Sequence, residues 1–133
     1  MDQIVIDATN ATLGRLASYT AKQLLLGKKV VILNCNDAII AGNPVSIIND
    51  YKQKTARRSS SIGGPFFPKS PERIVKRAIR GMIPYHKGRG RAAFKNLRCY
   101  NTISAEYQDE KKILAGKEKK TKTITIRELS RRI

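Results

Sequence analysis

Arg73, Lys76, Arg77 and Arg80 stand at i, i+3, i+4 and i+7, the spacing that brings four side chains to one face of an α-helix. Four cations on a rigid face suit phosphate oxygens, which accept charge-assisted hydrogen bonds from guanidinium and ammonium groups. A few residues on, Tyr85-His86-Lys87-Gly88-Arg89-Gly90-Arg91 alternates glycine with arginine. It reads as a basic loop, Pro84 to Arg91, whose backbone can lie close to a phosphate chain while each guanidinium forks onto its oxygens. His86, the only histidine, has no catalytic or metal-binding partner at a suggestive spacing and is assigned a phosphate or base contact. Tyr85 and Phe94 either stack on unpaired bases or pack in the core. Phe66-Phe67, set between glycines and prolines, either anchor their loop or probe a partner.

These residues belong to a wider block. Between Tyr51 and Arg98 the chain carries fourteen Lys and Arg against the single acid Glu72, a net +13 out of a formal +17. The first fifty residues are electrically balanced, and residues 99–133 carry nine bases against five acids. A cationic helix stripe alone is commonly just a solvated face. Here the acids that would normally be interspersed are missing, so like charges repel and a polyanion relieves the repulsion. Arg57, Arg58, Lys69, Lys95 and Arg98 therefore join Arg73, Lys76, Arg77, Arg80, His86, Lys87, Arg89 and Arg91 as candidate phosphate contacts of a nucleic acid.

The same acid-poor composition speaks against catalysis. A metal-dependent nuclease needs several carboxylates around its metal, and Glu72 stands alone in the block. Asp7 and Asp37, at strand ends, more simply cap turns. Near Asp7 only Gly14 stands where a dinucleotide fingerprint needs three glycines. Cys35 and Cys99 form no spaced cluster, so neither a disulfide framework nor a zinc site is expected. No cofactor, metal or small-molecule substrate is implied. No stretch approaches the roughly 18 apolar residues of a membrane span, and the expectation is a soluble protein of a reducing compartment.

A scaffold must position this block, and 133 residues suffice for one domain with a real core. Gln3–Asp7 reads as a strand. Leu13 to Leu25 has apolar or near-apolar positions at 13, 16, 17, 20, 21, 24 and 25, a one-face helix between an N-cap at Thr12 and a stop at Gly27. Lys29–Leu33 is a strand without polar alternation, as in a parallel sheet buried on both faces. Strand, helix and strand make a βαβ unit and predict an α/β fold, a three-layer arrangement with a small, mostly parallel sheet covered by helices and basic loop extensions. Ala38–Ala41 is expected to continue that sheet. Asn43-Pro44 starts a second helix, with Val45, Ile47, Ile48 and Tyr51 on its buried side. Residues 59–68 form a loop, and Ser70-Pro71 starts a helix with Ile74, Val75, Ala78, Ile79 and Met82 opposite its cations. Gly81 and Pro84 end it. A short helix over Ala92–Leu97, a strand over Arg98–Ile103, a solvated polar excursion over 106–122 and a final strand and helical turn from Thr123, with Thr125 and Glu128 as a capping box, complete the reading.

Several blocks together resemble the large-subunit ribosomal protein L13 family. Val5-Ile6-Asp7-Ala8, Leu13-Gly14-Arg15-Leu16-Ala17-Ser18, Leu24-Leu25 with Gly27-Lys28, and Val30-Val31-Ile32-Leu33-Asn34 are similar to the family's opening. Arg80-Gly81-Met82-Ile83-Pro84 with the Gly/Arg loop and Leu97-Arg98-Cys99-Tyr100 is similar to its central signature, and Gly63-Gly64-Pro65-Phe66-Phe67-Pro68 resembles the archaeal and eukaryotic branch. Cys99 stands where the family often has an aliphatic residue. The resemblance implies a cytoplasmic, non-enzymatic constituent of the large ribosomal subunit, with large-subunit rRNA and neighbouring large-subunit proteins as partners. It places the RNA-facing signature on Arg80, Gly81, His86, Lys87, Arg89 and Arg91. The rival readings are a regulatory RNA-binding protein outside the ribosome and an RNA-processing enzyme.

Overall fold

β1 (Gln3–Asp7) and β2 (Lys29–Leu33) pair in parallel, Gln3 opposite Lys29 through Asp7 opposite Leu33. α1 (Leu13–Leu25) connects them. The computed structural model describes residues 3–56, 68–103, 105–107, 113–114 and 122–133. β4 (Leu97–Cys99) adds to the outer side of β2 and β5 (Ile113–Leu114) to the other side of β1, both in parallel, giving the order β4-β2-β1-β5. The expected α/β arrangement, a mostly parallel sheet covered by helices, is the one observed.

The two faces of the sheet follow from the period of two along each strand. Ile6, Val30, Ile32 and Leu97 point into the main core, with Leu13, Leu16, Ala17, Ala21 and Leu24 of α1. Val5, Val31 and Leu33 form a second cluster on the opposite face, against Tyr100 and Tyr107. β2 is thus buried on both sides, as its unbroken apolar run requires. Every predicted apolar position of α1 is buried except the half-buried Leu25, and Gly27 leaves the helix at φ 90, a left-handed conformation that glycine adopts without steric cost.

Several elements differ from the sequence reading. β3 (Ile39–Ala41) does not continue the main sheet but pairs antiparallel with β6 (Thr123–Thr125), Ile40 opposite Ile124. Three residues supply too few hydrogen bonds to choose a partner, and the distant β6 decides. α2 (Pro44–Ala56) begins where Asn43 Oδ1 accepts the Val45 N–H at 3.0 Å. Of its four predicted core positions Ile48 is buried and Ile47 and Tyr51 are half-buried against the core, but Val45 is 65% exposed. The strand predicted over Arg98–Ile103 is only Leu97–Cys99. Ile113-Leu114, within the stretch read as a polar excursion, is a strand of the main sheet; the rest of that stretch, apart from the short turn Ala105–Tyr107 and Lys122, lies outside the described residues, as do Arg57, Arg58, Phe66 and Phe67.

α5 (Ile126–Arg132) closes the fold, with Ile126 and Leu129 fully buried. Thr125 Oγ1 accepts the Glu128 N–H at 3.3 Å, the N-cap half of the predicted capping box. Among the described residues no helix is long and apolar enough to cross a membrane.

Candidate nucleic-acid interface

α3 (Pro71–Arg80) carries the cationic stripe. Ile74, Val75 and Ile79 are 3% exposed or less and dock the helix on α1 and the core, so the opposite face must turn outward. Arg73 and Arg80 are exposed, and Lys76 and Arg77 are half-buried, with long apolar stems lying along the surface. Met82, expected on the buried side, is 46% exposed because the helix has already ended at Gly81.

The start of α3 is fixed from outside the helix. Ser70 occupies the N-cap position with extended backbone but makes no side-chain capping bond. Instead Asn101 Oδ1 accepts the Glu72 N–H at 3.0 Å, and Ser130 Oγ of α5 donates to the Lys69 carbonyl at 2.6 Å. The basic helix is therefore tied at its first turn to the ends of β4 and α5, which fixes the orientation of its cations.

Beyond Gly81 the chain makes a tight turn rather than a loose loop. Met82 N–H donates to Ile79, Ile83 to Arg80, Tyr85 to Ile83 and Lys87 to Pro84, and Ile83 is buried. α4 (Gly88–Phe94) then starts four residues earlier than its composition suggests, inside the predicted Gly/Arg loop. Glycine weakens helix propensity, but tertiary packing overrides it here. Gly90 is buried against the turn: a Cβ on it would stand 1.9 Å from the Pro84 carbonyl oxygen, 2.3 Å from its carbon and 2.9 Å from the Tyr85 nitrogen. Gly90 thus serves the close approach of two backbone segments within the protein.

Arg91 has a similar inward task. Its Nε donates to the Tyr85 carbonyl at 3.3 Å and its Nη2 to the His86 carbonyl at 3.0 Å, so one guanidinium fork holds the turn in place. Arg80 lies over the Tyr85 ring, 4.1 Å from its centroid, and Phe94 meets the same ring edge-on at 5.5 Å. Half-buried Tyr85 and Phe94 are consequently packing partners that link α3, the turn and α4. Arg91→Lys keeps the charge but loses the fork. It is expected to lower stability by about 1 kcal/mol, read by thermal denaturation, whereas Arg89→Lys leaves the melt unchanged.

The result is a concave basic surface. A crevice of about 530 Å³ is lined by Arg77, Arg80, Gly81, Ile83, Pro84, Tyr85, His86 and Lys87. A neighbouring groove of about 250 Å³ runs between Pro68, Arg73, Lys76, Arg77, Arg80, Tyr85 and Phe94. Arg77 and Arg80 line both, so the predicted residues Arg73, Lys76, Arg77, Arg80, Gly81, His86 and Lys87 converge on one continuous surface. Gly81 has right-handed helical backbone and room for a Cβ, with only ordinary contacts near 3.6 Å, so its contribution is an open rim between cavities rather than a special conformation.

Other predicted residues lie elsewhere. Arg89 projects toward α1, beside Lys22, Leu26 and Met82. Arg98, opposite Val31 in the register, belongs to the far face of the sheet. Lys95 is exposed just past α4, and Lys69 is exposed just before α3. A cation that the sequence reading passed over is Lys54, which sits 5.1 Å from the Tyr51 ring centroid and lines a third cavity with Arg77, Gly81 and Met82. The i, i+3 spacing of Tyr51 and Lys54 was the available signal. Partial burial pushes the Tyr51 hydroxyl pKa above its ordinary value.

Asp7, Asp37 and Glu128 make structural contacts. Asp7 Oδ1 accepts the Thr9 N–H at 3.0 Å, the Thr9 hydroxyl at 2.7 Å and the Asn34 amide at 3.0 Å, which closes the turn after β1. Asp37 pairs with Arg127 at 3.8 Å, and Glu128 with Arg132 at 3.1 Å, both through α5. Among the described residues no group of three or more His, Cys, Asp or Glu is placed to hold a metal ion.

Comparison with known proteins identifies the family. The family model for ribosomal protein L13 matches residues 1–106. The chain is 40% identical to large ribosomal subunit protein uL13 of Archaeoglobus fulgidus, over 98% of this chain and 86% of that protein. It is 42% identical to the protein of the same name from Methanosarcina barkeri, over 97% and 84%. Against that of Methanocaldococcus jannaschii it is 40% identical over 97% and 96%.

Proposed function

Because the chain belongs to the ribosomal protein L13 family, we propose that it is a structural constituent of the large ribosomal subunit that grips large-subunit rRNA with α3 and the turn after it. The observation that carries the residue assignment is that Arg73, Lys76, Arg77, Arg80, His86 and Lys87 line two adjoining cavities that share Arg77 and Arg80, within a block that holds a single acid. Such a surface neutralises several phosphates at once, and its concavity suits folded RNA more than an isolated strand. The family is non-enzymatic, and the role is binding and stabilisation of RNA during assembly and translation in the cytoplasmic ribosome. Arg98 and Arg89, on other sides of the molecule, are assigned to separate RNA segments or to neighbouring large-subunit proteins.

Tagged full-length protein is expected to sediment with the large subunit in a sucrose gradient. Recovery only in light fractions, bound to messages, would instead support the regulatory reading.

A further inference from the structure

Cys35 and Cys99, remote in sequence, meet in the fold. Cys99 ends β4 opposite Ile32 of β2, and Cys35 opens the short helical turn Cys35–Asp37 that follows β2. Between them, Asn34 at φ 60 turns the chain back, and the Cys35 N–H donates to the Tyr100 carbonyl at 3.1 Å. Both side chains therefore fall on the helix-covered side of the sheet, Cys35 within the main core and Cys99 packed against it. The backbone bond from Cys35 to Tyr100, the residue after Cys99, brings the two cysteines side by side at this end of the sheet. Both are free; Cys35 is fully buried and Cys99 only partly.

We propose that Cys35 and Cys99 are a peroxide-sensitive dithiol that closes to a reversible intramolecular disulfide. Cys99, the accessible member, attacks the peroxide. The O–O bond breaks, a sulfenic acid forms on Cys99 and one water departs. The Cys35 sulfur then attacks the Cys99 sulfur; the S–S bond forms, the S–O bond breaks, and the departing hydroxide takes the Cys35 proton and leaves as a second water. Two thiols lose two hydrogens and two electrons, and the peroxide gains them. Interaction with Cys99, burial and the nearby Glu72 carboxylate all push the Cys35 thiol pKa above its ordinary value, so the more exposed Cys99 reacts first and Cys35 gives up its proton only to the departing hydroxide as the S–S bond forms. The bridge would form two residues before Asn101, which caps α3, so oxidation acts at the base of the cationic helix.

The test is hydrogen peroxide on the reduced, full-length native protein, followed by intact mass and peptide mapping. The expected product is a monomer lighter by two hydrogens, with both thiols lost together, a Cys35–Cys99 linked peptide, and full reversal by dithiothreitol. It should form faster in native buffer than in urea, where the two residues are apart. In Cys35→Ser the sulfenic acid on Cys99 should persist long enough for dimedone to trap it. Oxygen added to Cys99 while Cys35 still alkylates, a bridge only between two copies, or equal rates in native buffer and urea would overturn the proposal.

Discussion

Gly90→Ala is expected to lower stability by about 3 kcal/mol and the melting temperature by roughly 10 °C. The new methyl would meet backbone, the Pro84 carbonyl at 1.9 Å, and backbone cannot rotate away as a flexible side-chain tip can. α4 must move off the turn. That movement separates Arg91 from the carbonyls of Tyr85 and His86 and opens the packing of Tyr85 between Arg80 and Phe94. RNA affinity should fall with stability, because Arg80, His86 and Lys87 lose their fixed relation. Gly88→Ala, two residues away, is the control: a Cβ there meets nothing within 4 Å. Alanine's better helix propensity should leave its melt unchanged or raised by up to about 1 kcal/mol. Equal melts for the two variants would show that the close approach at Gly90 is not what holds the turn.

Replacing Arg73, Lys76, Arg77 and Arg80 together by Gln should weaken binding to large-subunit rRNA by roughly two to four orders of magnitude near 0.1 M salt. Single replacements are expected to cost far less, since the energy is spread over many phosphates. The fold should survive, because α3 docks through Ile74, Val75 and Ile79, which are untouched. Removing four like charges also relieves repulsion in the free protein and offsets the loss of the Arg80–Tyr85 stack. A variant that melts normally yet binds as tightly as the parent would assign the interface to another surface.

Periodicity carried the reading where local pattern and tertiary packing agree. α1 and α3 have apolar stripes that dock on the core, N-cap backbone at Thr12 and Ser70, and ends near Gly27 and Gly81. The cationic stripe of α3 was legible for the same reason. Elsewhere the deciding contact lies far away in sequence. α4 forms through Gly90 because the Pro84 turn leaves no room for a side chain, and local propensity argues the other way. β3 needs β6. Asn101 as the cap of α3, the inward turn of Arg91 and the meeting of Cys35 with Cys99 are equally products of the fold. Charge counting located the basic block but could not separate cations that face the crevice from Arg98, which alternation along β4 sends to the other face of the sheet.

If rRNA is held through phosphate neutralisation by the α3 surface, its binding must weaken steeply with salt. The most direct test is the salt dependence of binding to large-subunit rRNA, measured for the parent chain and for the fourfold Gln variant. The parent should lose roughly 10³-fold in affinity between about 50 and 200 mM salt, and the variant's log–log slope should be shallower by about three to four. A parent affinity that stays flat across that range, or two identical slopes, would contradict the account.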